Sequence, residues 1–212
     1  MLAYLLHDHS LLSSIRAETA PALNTTSTTP IDISYLLTTC PRLEALFHEV
    51  LRISNSSASV RAVVAPTRLG SKVLRAGRKV LIPHRQLHNN QSVFGPNASS
   101  FDAERFLRQK DLSRNPSYRP FGGGSTYCPG RIVARQEIFA FVALALQRFE
   151  VGLTEAPGDG EGTGEGTQAF PRLDEMTPSL GVMAPQKGDD VFVSVKVKAC
   201  EKGLEVKGLD VS

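Results

Sequence analysis

Apolar side chains recur at helical spacing in two segments of the N-terminal third of the chain. In residues 2–23, polar and charged positions separate the apolar ones, which predicts a surface helix that begins at the first residue. A second apolar face repeats at intervals of three and four residues and comprises Leu43, Leu46, Phe47, Val50 and Leu51. This spacing predicts an amphipathic helix, with Thr39 as its N-cap and Pro41 in its first turn.

The middle of the chain alternates short β-prone segments with turn sequences. SVRAVVAP and KVLIP predict strands between positions 60 and 83, while RLGS and RAGRK predict turns. Residues 84–120 are rich in Asn, Ser, Pro and Arg, which predicts an ordered loop with one helical turn at FDAERFL. Further on, IFAFVALAL is apolar on every side, so residues 131–149 are predicted to form a helix that is buried all round.

The C-terminal quarter combines a polar insertion with two β-prone runs. Residues 155–168, EAPGDGEGTGEGTQ, are acidic and Gly-rich, which predicts mobility. SLGVMAP and VFVSVKVKA predict strands joined by QKGDD, ahead of a loose tail. We therefore expect a mainly α fold with small β-sheets (α+β). Its parts are a domain body at 1–152, a flexible insertion at 153–170, a C-terminal β-hairpin of the same domain at 171–199, and a tail at 200–212.

Composition narrows the functional class. With 212 residues, 41% of them hydrophobic, the chain can bury a core. The formal net charge of +3 arises from scattered Lys and Arg, which argues against a nucleic-acid partner. Cys40, Cys128 and Cys200 lie far apart without a CxxC pair, so neither a disulfide framework nor a structural zinc motif is readable. The apolar start MLAYLL is too short to span a bilayer, and we expect no anchor or address in it.

One loop concentrates the candidate chemistry. Residues 119–131, RPFGGGSTYCPGR, are called the cysteine loop below. A glycine-rich loop before a helix can bind phosphate, but neither GxxxxGK[ST] nor GxGxxG is present. Near the helix start stands Cys128, whose thiolate would be stabilised by the positive end of the helix dipole. Glycines can adopt positive φ and let the backbone approach a flat cofactor, against which Phe121 would lie.

The pattern Phe121-x-x-Gly124-x-x-x-Cys128-x-Gly130 resembles the haem-binding loop of the cytochrome P-450 family. The resemblance implies that Cys128 is the iron ligand of haem b (iron protoporphyrin IX). It also implies that Phe121, Gly122, Gly124 and Gly130 form part of the cofactor-binding site. A small buried cysteine at a helix start is the alternative interpretation of Cys128 alone.

Two further motifs agree with this family in order and spacing. Glu49-Val-Leu-Arg52 resembles the ExxR pair, whose i, i+3 spacing puts both charges on one helix face. FDAERF resembles the later arginine motif, which implies that Arg105 joins Glu49 and Arg52 in a buried structural triad. Taken alone, Glu49 and Arg52 would more often be a solvated surface pair.

Cations for the haem propionates are less clearly indicated. The resemblance assigns one of them to Arg61, for which an exposed strand arginine is the alternative. Thr126 stands where many members of the family have His or Arg, so one propionate contact is expected to be weakened or supplied elsewhere. For His88 we expect a packed, hydrogen-bonded side chain and not a metal ligand.

By resemblance, the whole enzyme is a monooxygenase that oxidises a small hydrophobic substrate with O2. Its electrons would come from NADPH through cytochrome P-450 reductase, docked on the proximal face at residues 128–135. In eukaryotes an N-terminal helix would hold it at the endoplasmic reticulum membrane.

The chain resembles the C-terminal portion of this fold. Residues 1–23 are similar to the helix that follows the central oxygen-binding helix, so we expect an incomplete fold and a chain inactive alone. One rival hypothesis is a non-catalytic remnant or interaction module that binds haem weakly or not at all. A weaker one is a phosphate-binding protein that uses residues 122–124.

Overall fold

The computed structural model describes residues 1–23, 31–154, 168–177, 179 and 181–198. The predicted acidic insertion falls largely outside these residues, and the predicted tail, with Cys200, falls wholly outside them. The helices are α1 (Leu2–Leu6), α2 (His9–Thr19), α3 (Ile33–Thr39), α4 (Pro41–Ser54), α5 (His84–His88), α6 (Gln91–Phe94), α7 (Arg105–Arg108) and α8 (Arg131–Arg148). The strands are β1 (Ala58–Ala62), β2 (Thr67–Leu69), β3 (Lys72–Leu74), β4 (Lys79–Pro83), β5 (Phe149–Leu153) and β6 (Val193–Val197).

The first predicted helix is interrupted. It ends at Leu6, and a second helix starts at His9 because the Asp8 carboxylate accepts the Leu11 N–H at 2.9 Å and caps the new N-terminus. Leu5 and Ile15 are fully buried, so this segment contributes to the core and is not only a surface helix. A local aspartate therefore outweighs the apolar periodicity that runs through residues 2–23.

The main core lies where α1, α2, α3, α4 and α8 pack together. Its fully buried members include Leu5, Ile15, Leu36, Leu43, Leu46, Phe139, Ala143 and Leu146. The predicted amphipathic face of α4 is confirmed by the burial of Leu43, Leu46 and Phe47. Burying each large side chain of this kind contributes about 1.5 to 3 kcal/mol to the stability of the fold.

The start of α4 differs from the prediction. Cys40 occupies the N-cap position without a capping side chain, and Pro41 is the first helical residue. The predicted cap, Thr39, is the last residue of α3. The free backbone donors are taken instead by Glu18 of α2, whose carboxylate accepts Arg42 N–H and Leu43 N–H, both at 2.9 Å. A residue distant in sequence thus caps the helix that carries Glu49 and Arg52.

Replacing Glu18 with alanine should lower the free energy of unfolding by about 1 kcal/mol, the usual effect of losing a capping side chain. Urea denaturation followed by circular dichroism measures this loss. Glu18→Gln is the matched control, because its amide oxygen still accepts one N–H, and it should lose less stability than Glu18→Ala. Equal stability of Glu18→Ala and the unaltered chain would contradict the assigned cap.

Within the described residues, the strands form antiparallel pairs β1–β4, β2–β3 and β5–β6. The small sheet predicted for the middle of the chain is confirmed, with Ala58 opposite Pro83 and Ala62 opposite Lys79. The helical turn at FDAERFL is confirmed as α7, but α5 and α6 add helix that the loop prediction for residues 84–120 lacked.

The predicted C-terminal hairpin is not formed. Strand β6 pairs with β5, so that Phe149 lies opposite Val197 and Leu153 opposite Val193. The SLGVMAP segment instead makes an isolated bridge from Val182 to Asn55, directly after α4. Both runs extend as their β propensity predicts, but each pairs with a segment distant in sequence and not with the other across the QKGDD turn.

Helix α8 is confirmed, but its predicted burial all round is wrong. Phe139, Val142, Ala143 and Leu146 are buried, while Ile132, Val133 and Phe141 are more than half exposed in the part of the chain that the structure describes. Its buried side faces α2 and α3. The helix therefore buries one side of its C-terminal half, while the described residues leave Ile132 and Val133 of its first turn, and Phe141, uncovered.

Candidate haem-thiolate site

The cysteine loop takes its shape from a short helical turn and two glycines. Gly122 and Gly124 have φ of +80° and +66°, a region that disfavours residues with a Cβ. Between them and Cys128 lies a single 3-10 turn, Gly124–Thr126. The Cys128 N–H donates to the Phe121 carbonyl at 3.1 Å and closes the loop. The glycines thus allow a tight backbone path that presents Cys128 at its end.

Cys128 is solvent-exposed and lies just before α8, whose N-cap is Gly130. Its carbonyl accepts a hydrogen bond from the Arg131 side chain at 2.9 Å, and the guanidinium of Arg131 lies 4.2 Å from the ring centroid of Tyr127. A Cβ added at Gly130 would stand 3.8 Å from the Cys128 sulfur, which is ordinary contact. The thiol is therefore accessible, on a backbone fastened to the first turn of α8.

Phe121 is half-buried and packs against the main core. Its ring stacks on Phe47 of α4, with 6.5 Å between ring centroids and 29° between planes. One side of the Phe121 ring is therefore occupied by α4, and the predicted contact with a cofactor would have to be made by another part of the ring. This contact fixes the loop to the helix that carries Glu49 and Arg52.

The structure brings Glu49, Arg52 and Arg105 together as predicted. Arg52 Nη2 and Nε donate to the two Glu49 carboxylate oxygens at 2.7 and 2.8 Å, and Arg105 Nε lies 3.2 Å from both. Glu49 and Arg52 are fully buried, and Arg105 nearly so. Their surface-pair alternative is therefore wrong. The carboxylate neutralises one of the two arginine charges, so the other is tolerable in the interior only because both guanidinium groups are also hydrogen-bonded.

The remaining donors of the two arginines bind backbone carbonyls. Arg52 donates to the carbonyls of His88, Ala98 and Ser100. Arg105 donates to the carbonyls of Phe94, Asn97 and Ser100 and to the Asn97 side chain. The triad thus organises the segment between α5 and α7, most of which lies outside the short helix α6. Because all of these groups are internal, the arrangement acts structurally.

Arg61 of β1 reaches the cysteine loop. Its guanidinium donates to the Gly123 carbonyl at 3.3 Å and to the Thr126 hydroxyl. The predicted propionate cation therefore lies next to the position where Thr126 replaces a basic residue. Sequence reasoning named both residues separately, and the fold brings them into contact.

His88 is a fully buried, hydrogen-bonded residue, as expected. Its Nε2 accepts the Arg119 N–H at 2.9 Å and its Nδ1 lies 3.1 Å from the Arg52 carbonyl. Since a carbonyl can only accept, Nδ1 carries the proton and the ring is neutral. Burial lowers the pKa of His88 to about 4, with the charges of His84 and Arg52 acting in the same direction.

Stability should therefore fall on mild acidification. The unfolded His88 titrates near 6.5 and the folded one near 4, so the unfolded chain binds the extra proton between these values. The free energy of unfolding should decrease as pH falls from about 6.5 to about 4, by about 3 kcal/mol from this residue. Urea titrations at several pH values measure the slope. His88→Gln should show a shallower slope, and parallel curves for the two chains would contradict the shifted pKa.

Sequence reasoning missed a second link between α4 and α8. The Glu44 carboxylate accepts His48 Nε2 at 2.9 Å and Arg135 Nε at 2.8 Å, while Tyr118 lies 2.8 Å from His48 Nδ1. Burial opposes ionisation of Glu44, but the hydrogen bonds from His48 and Arg135 outweigh it and lower the pKa of this carboxyl. Of these residues, His48, Tyr118 and Arg135 line a cavity of about 240 Å³ together with Phe121. Single charged residues on separate helices carry no local signal of such pairing.

Comparison with known proteins agrees with this architecture. The family model described as Cytochrome P450 matches residues 1–163. The chain belongs to the cytochrome P450 family, whose members are haem-iron monooxygenases.

Among the helices that the structure describes, none is long and apolar enough to cross a membrane.

Individual relatives match with moderate identity. The chain is 36% identical over 123 residues to the cytochrome P450 monooxygenase poxD of Penicillium oxalicum, which covers 55% of this chain and 25% of that protein. It is 30% identical over 213 aligned positions to the steroid 17-alpha-hydroxylase/17,20 lyase of Felis catus, which covers 98% of this chain and 38% of that protein. The chain therefore spans well under half the length of these curated relatives.

Solved structures show the same fold. The retinoic-acid-bound cyanobacterial CYP120A1 superposes with a TM-score of 0.68 at 22% identity, over 92% of this chain and 40% of that one. A zebra fish cytochrome P450 with abiraterone superposes with a TM-score of 0.66 at 26% identity, over 92% of this chain and 42% of that one. The predicted α+β class, as part of the cytochrome P450 fold, is confirmed.

The residues of the cysteine loop fit a haem group. Cys128 offers an accessible thiol, and soft thiolate ligands suit iron. At Gly124, a Cβ would meet nothing within 4 Å, so the backbone there lies against open space. Arg61 stands beside the loop as a cation for an acidic group. To a haem group these features would offer a ligand, a close backbone approach and a counter-charge.

Proposed function

We propose that this chain forms the thiolate-bearing part of a cytochrome P450 monooxygenase that oxidises a small hydrophobic organic substrate with O2. The observation that carries the proposal is Cys128. Its thiol is exposed at the end of a glycine-shaped loop, and that loop rests on a helix anchored by a buried Glu–Arg–Arg triad. A haem bound there would supply oxygen chemistry, because a thiolate ligand donates electron density that favours O–O cleavage.

The residues of this chain would divide the work. Cys128 would ligate the iron, and Phe121, Gly122, Gly124 and Gly130 would shape the backbone that approaches the ring. Arg61 would pair with a haem propionate by giving up its present hydrogen bond to Thr126. Glu49, Arg52 and Arg105 would act through the fold, since their polar groups are turned to one another and to backbone carbonyls.

Electrons would come from NADPH through cytochrome P450 reductase. Arg131 supports this part of the proposal, because it is a cation in the first turn of α8 and its side chain is hydrogen-bonded to the Cys128 carbonyl. By analogy with full-length relatives, the complete enzyme would reside at the endoplasmic reticulum membrane. This chain spans only 25% and 38% of two relatives. We therefore expect turnover to require the remaining parts of the fold that those relatives contain.

The experiment that tests the proposal is a reduced carbon monoxide difference spectrum of the purified chain mixed with haem. A Soret band at the long wavelength typical of thiolate-ligated haem is the expected result. Haem that binds with only the shorter-wavelength band, or does not bind, would favour a non-catalytic remnant. Calorimetry with a nucleotide is the parallel test of the phosphate-binding alternative, for which we expect no heat of binding.

A further inference from the structure

The first two residues of the cysteine loop are held by buried side chains on both sides. The Arg119 N–H donates to His88 Nε2 at 2.9 Å, and the Pro120 carbonyl accepts a hydrogen bond from Asn55 Nδ2 at 2.8 Å. His88 is fully buried and Asn55 is 2% exposed. Because a donor and an acceptor of adjacent residues are both bound, this part of the chain has little freedom to rotate or shift.

Both side chains are themselves tied to the last turn of α4. His88 and Arg52 exchange two hydrogen bonds, from the His88 ring to the Arg52 carbonyl and from Arg52 Nη1 to the His88 carbonyl at 2.9 Å. Asn55 directly follows α4 as its C-cap. The anchors of the loop are therefore extensions of the helix that carries the triad.

The orientation of the Asn55 amide is determined by its neighbours. Its Oδ1 accepts the Ser57 N–H at 3.1 Å and the Ser57 hydroxyl at 2.8 Å. Because that oxygen is turned toward two donors, the amide nitrogen must face the Pro120 carbonyl. Ser57 in turn lies 3.0 Å from His84 Nδ1, at the start of α5. A network of this kind, with each polar group satisfied, holds its members rigidly.

We propose that His88 and Asn55 are positioning residues of the cysteine loop. They bind Arg119 and Pro120 to the end of α4, the helix that carries Glu49 and Arg52, and thereby fix the position of the Cys128 thiol. The claim that this thiol is an iron ligand rests on the proposed function, whereas the positioning of the loop does not. Neither residue touches the reacting group.

Hydrogen–deuterium exchange of the 212-residue chain at pH 7, without haem, tests this directly. His88→Asn keeps an amide donor for the Arg52 carbonyl but is too short to accept from Arg119. It should accelerate exchange at residues 119–128 about tenfold, as expected for loss of one buried hydrogen bond. Asn55→Ala should have a similar effect. His88→Gln, whose side-chain oxygen reaches the position of Nε2, should restore slow exchange.

A core variant separates positioning from general instability. Leu146 is fully buried near the end of α8, so Leu146→Ala opens a cavity there. It should lower the urea midpoint at least as much as His88→Asn does, yet leave exchange at residues 119–128 unchanged. Unchanged exchange in both His88→Asn and Asn55→Ala would overturn the proposal. Equal acceleration in Leu146→Ala would also overturn it, because loop exchange would then report only global unfolding.

Spectra of the haem-loaded variants connect positioning to ligation. If the unaltered chain gives the long-wavelength thiolate band, His88→Asn and Asn55→Ala should shift part of the absorbance to the shorter-wavelength band, and His88→Gln should shift less. If the unaltered chain gives no thiolate band, the proposed function fails while the exchange data still decide whether these residues position the loop. The two failures are therefore distinguishable.

Discussion

Arg52→Leu should abolish the cooperative folding of this chain. Arg52 is fully buried and donates to both oxygens of Glu49 and to three backbone carbonyls. Its removal leaves a buried carboxylate short of one partner and the carbonyls of His88 and Ala98 without this donor, whereas the Ser100 carbonyl keeps its hydrogen bond from Arg105. Breaking a buried ion pair in this way costs about 3 to 5 kcal/mol, and each unsatisfied carbonyl adds about 1 to 3 kcal/mol. Since domains of this kind are stable by about 5 to 15 kcal/mol, little or nothing would remain.

Two arginines on one short helix provide the matched comparison. Arg105 and Arg108 both lie in α7, but the Arg105 side chain is 5% exposed and faces Glu49, whereas that of Arg108 is 55% exposed and faces Asp102. Urea denaturation should show a loss of about 3 to 5 kcal/mol for Arg105→Leu and less than about 1 kcal/mol for Arg108→Leu. Similar losses for the two variants would show that burial of the triad does not decide its contribution.

Cys128→Ala should remove the thiolate Soret band completely while leaving the free energy of unfolding nearly unchanged. The thiol is exposed and its side chain supports no core packing, so its loss should affect ligation and not folding. The measurement is the reduced carbon monoxide spectrum of the haem-loaded variant, together with its urea midpoint. Retention of the band would exclude Cys128 as the ligand.

The other cysteines are the controls for this substitution. Cys40 is 3% exposed. Burial, and to a smaller extent the negative charge of Glu18, raises the pKa of its thiol to about 11, so Cys40 is a poor source of thiolate. Cys40→Ala should therefore keep the band and lose some stability, the opposite of Cys128→Ala. Cys200→Ala should also keep the band. Loss of the band in either control would move the ligand assignment away from Cys128.

Local patterns predicted the elements that carry the site. The i, i+3 spacing of Glu49 and Arg52 required only one helix to bring the charges together, and α4 does so. The helical turn at Arg105 was likewise readable from a short segment. Helix periodicity identified α4 and α8, although it missed the break that Asp8 introduces between α1 and α2.

Contacts between distant segments were not predictable in the same way. Glu18 caps α4 from 24 residues away, and Glu44 binds Arg135 across 91 positions. Strand β6 pairs with β5 instead of the nearer SLGVMAP run. Each of these choices depends on which surfaces meet after the chain folds, so no spacing rule expresses them.

The sequence by itself determined that this chain has a cysteine loop ahead of a long apolar helix, and that an ExxR helix precedes it. These features are local, because they depend on glycine conformations and on helical periodicity. Only the tertiary structure decided that Arg61 meets Thr126, and that His88 and Asn55 hold the start of the loop. Those contacts arise because α4 packs against α5 and α5 packs against β1, which brings residues tens of positions apart within hydrogen-bonding distance.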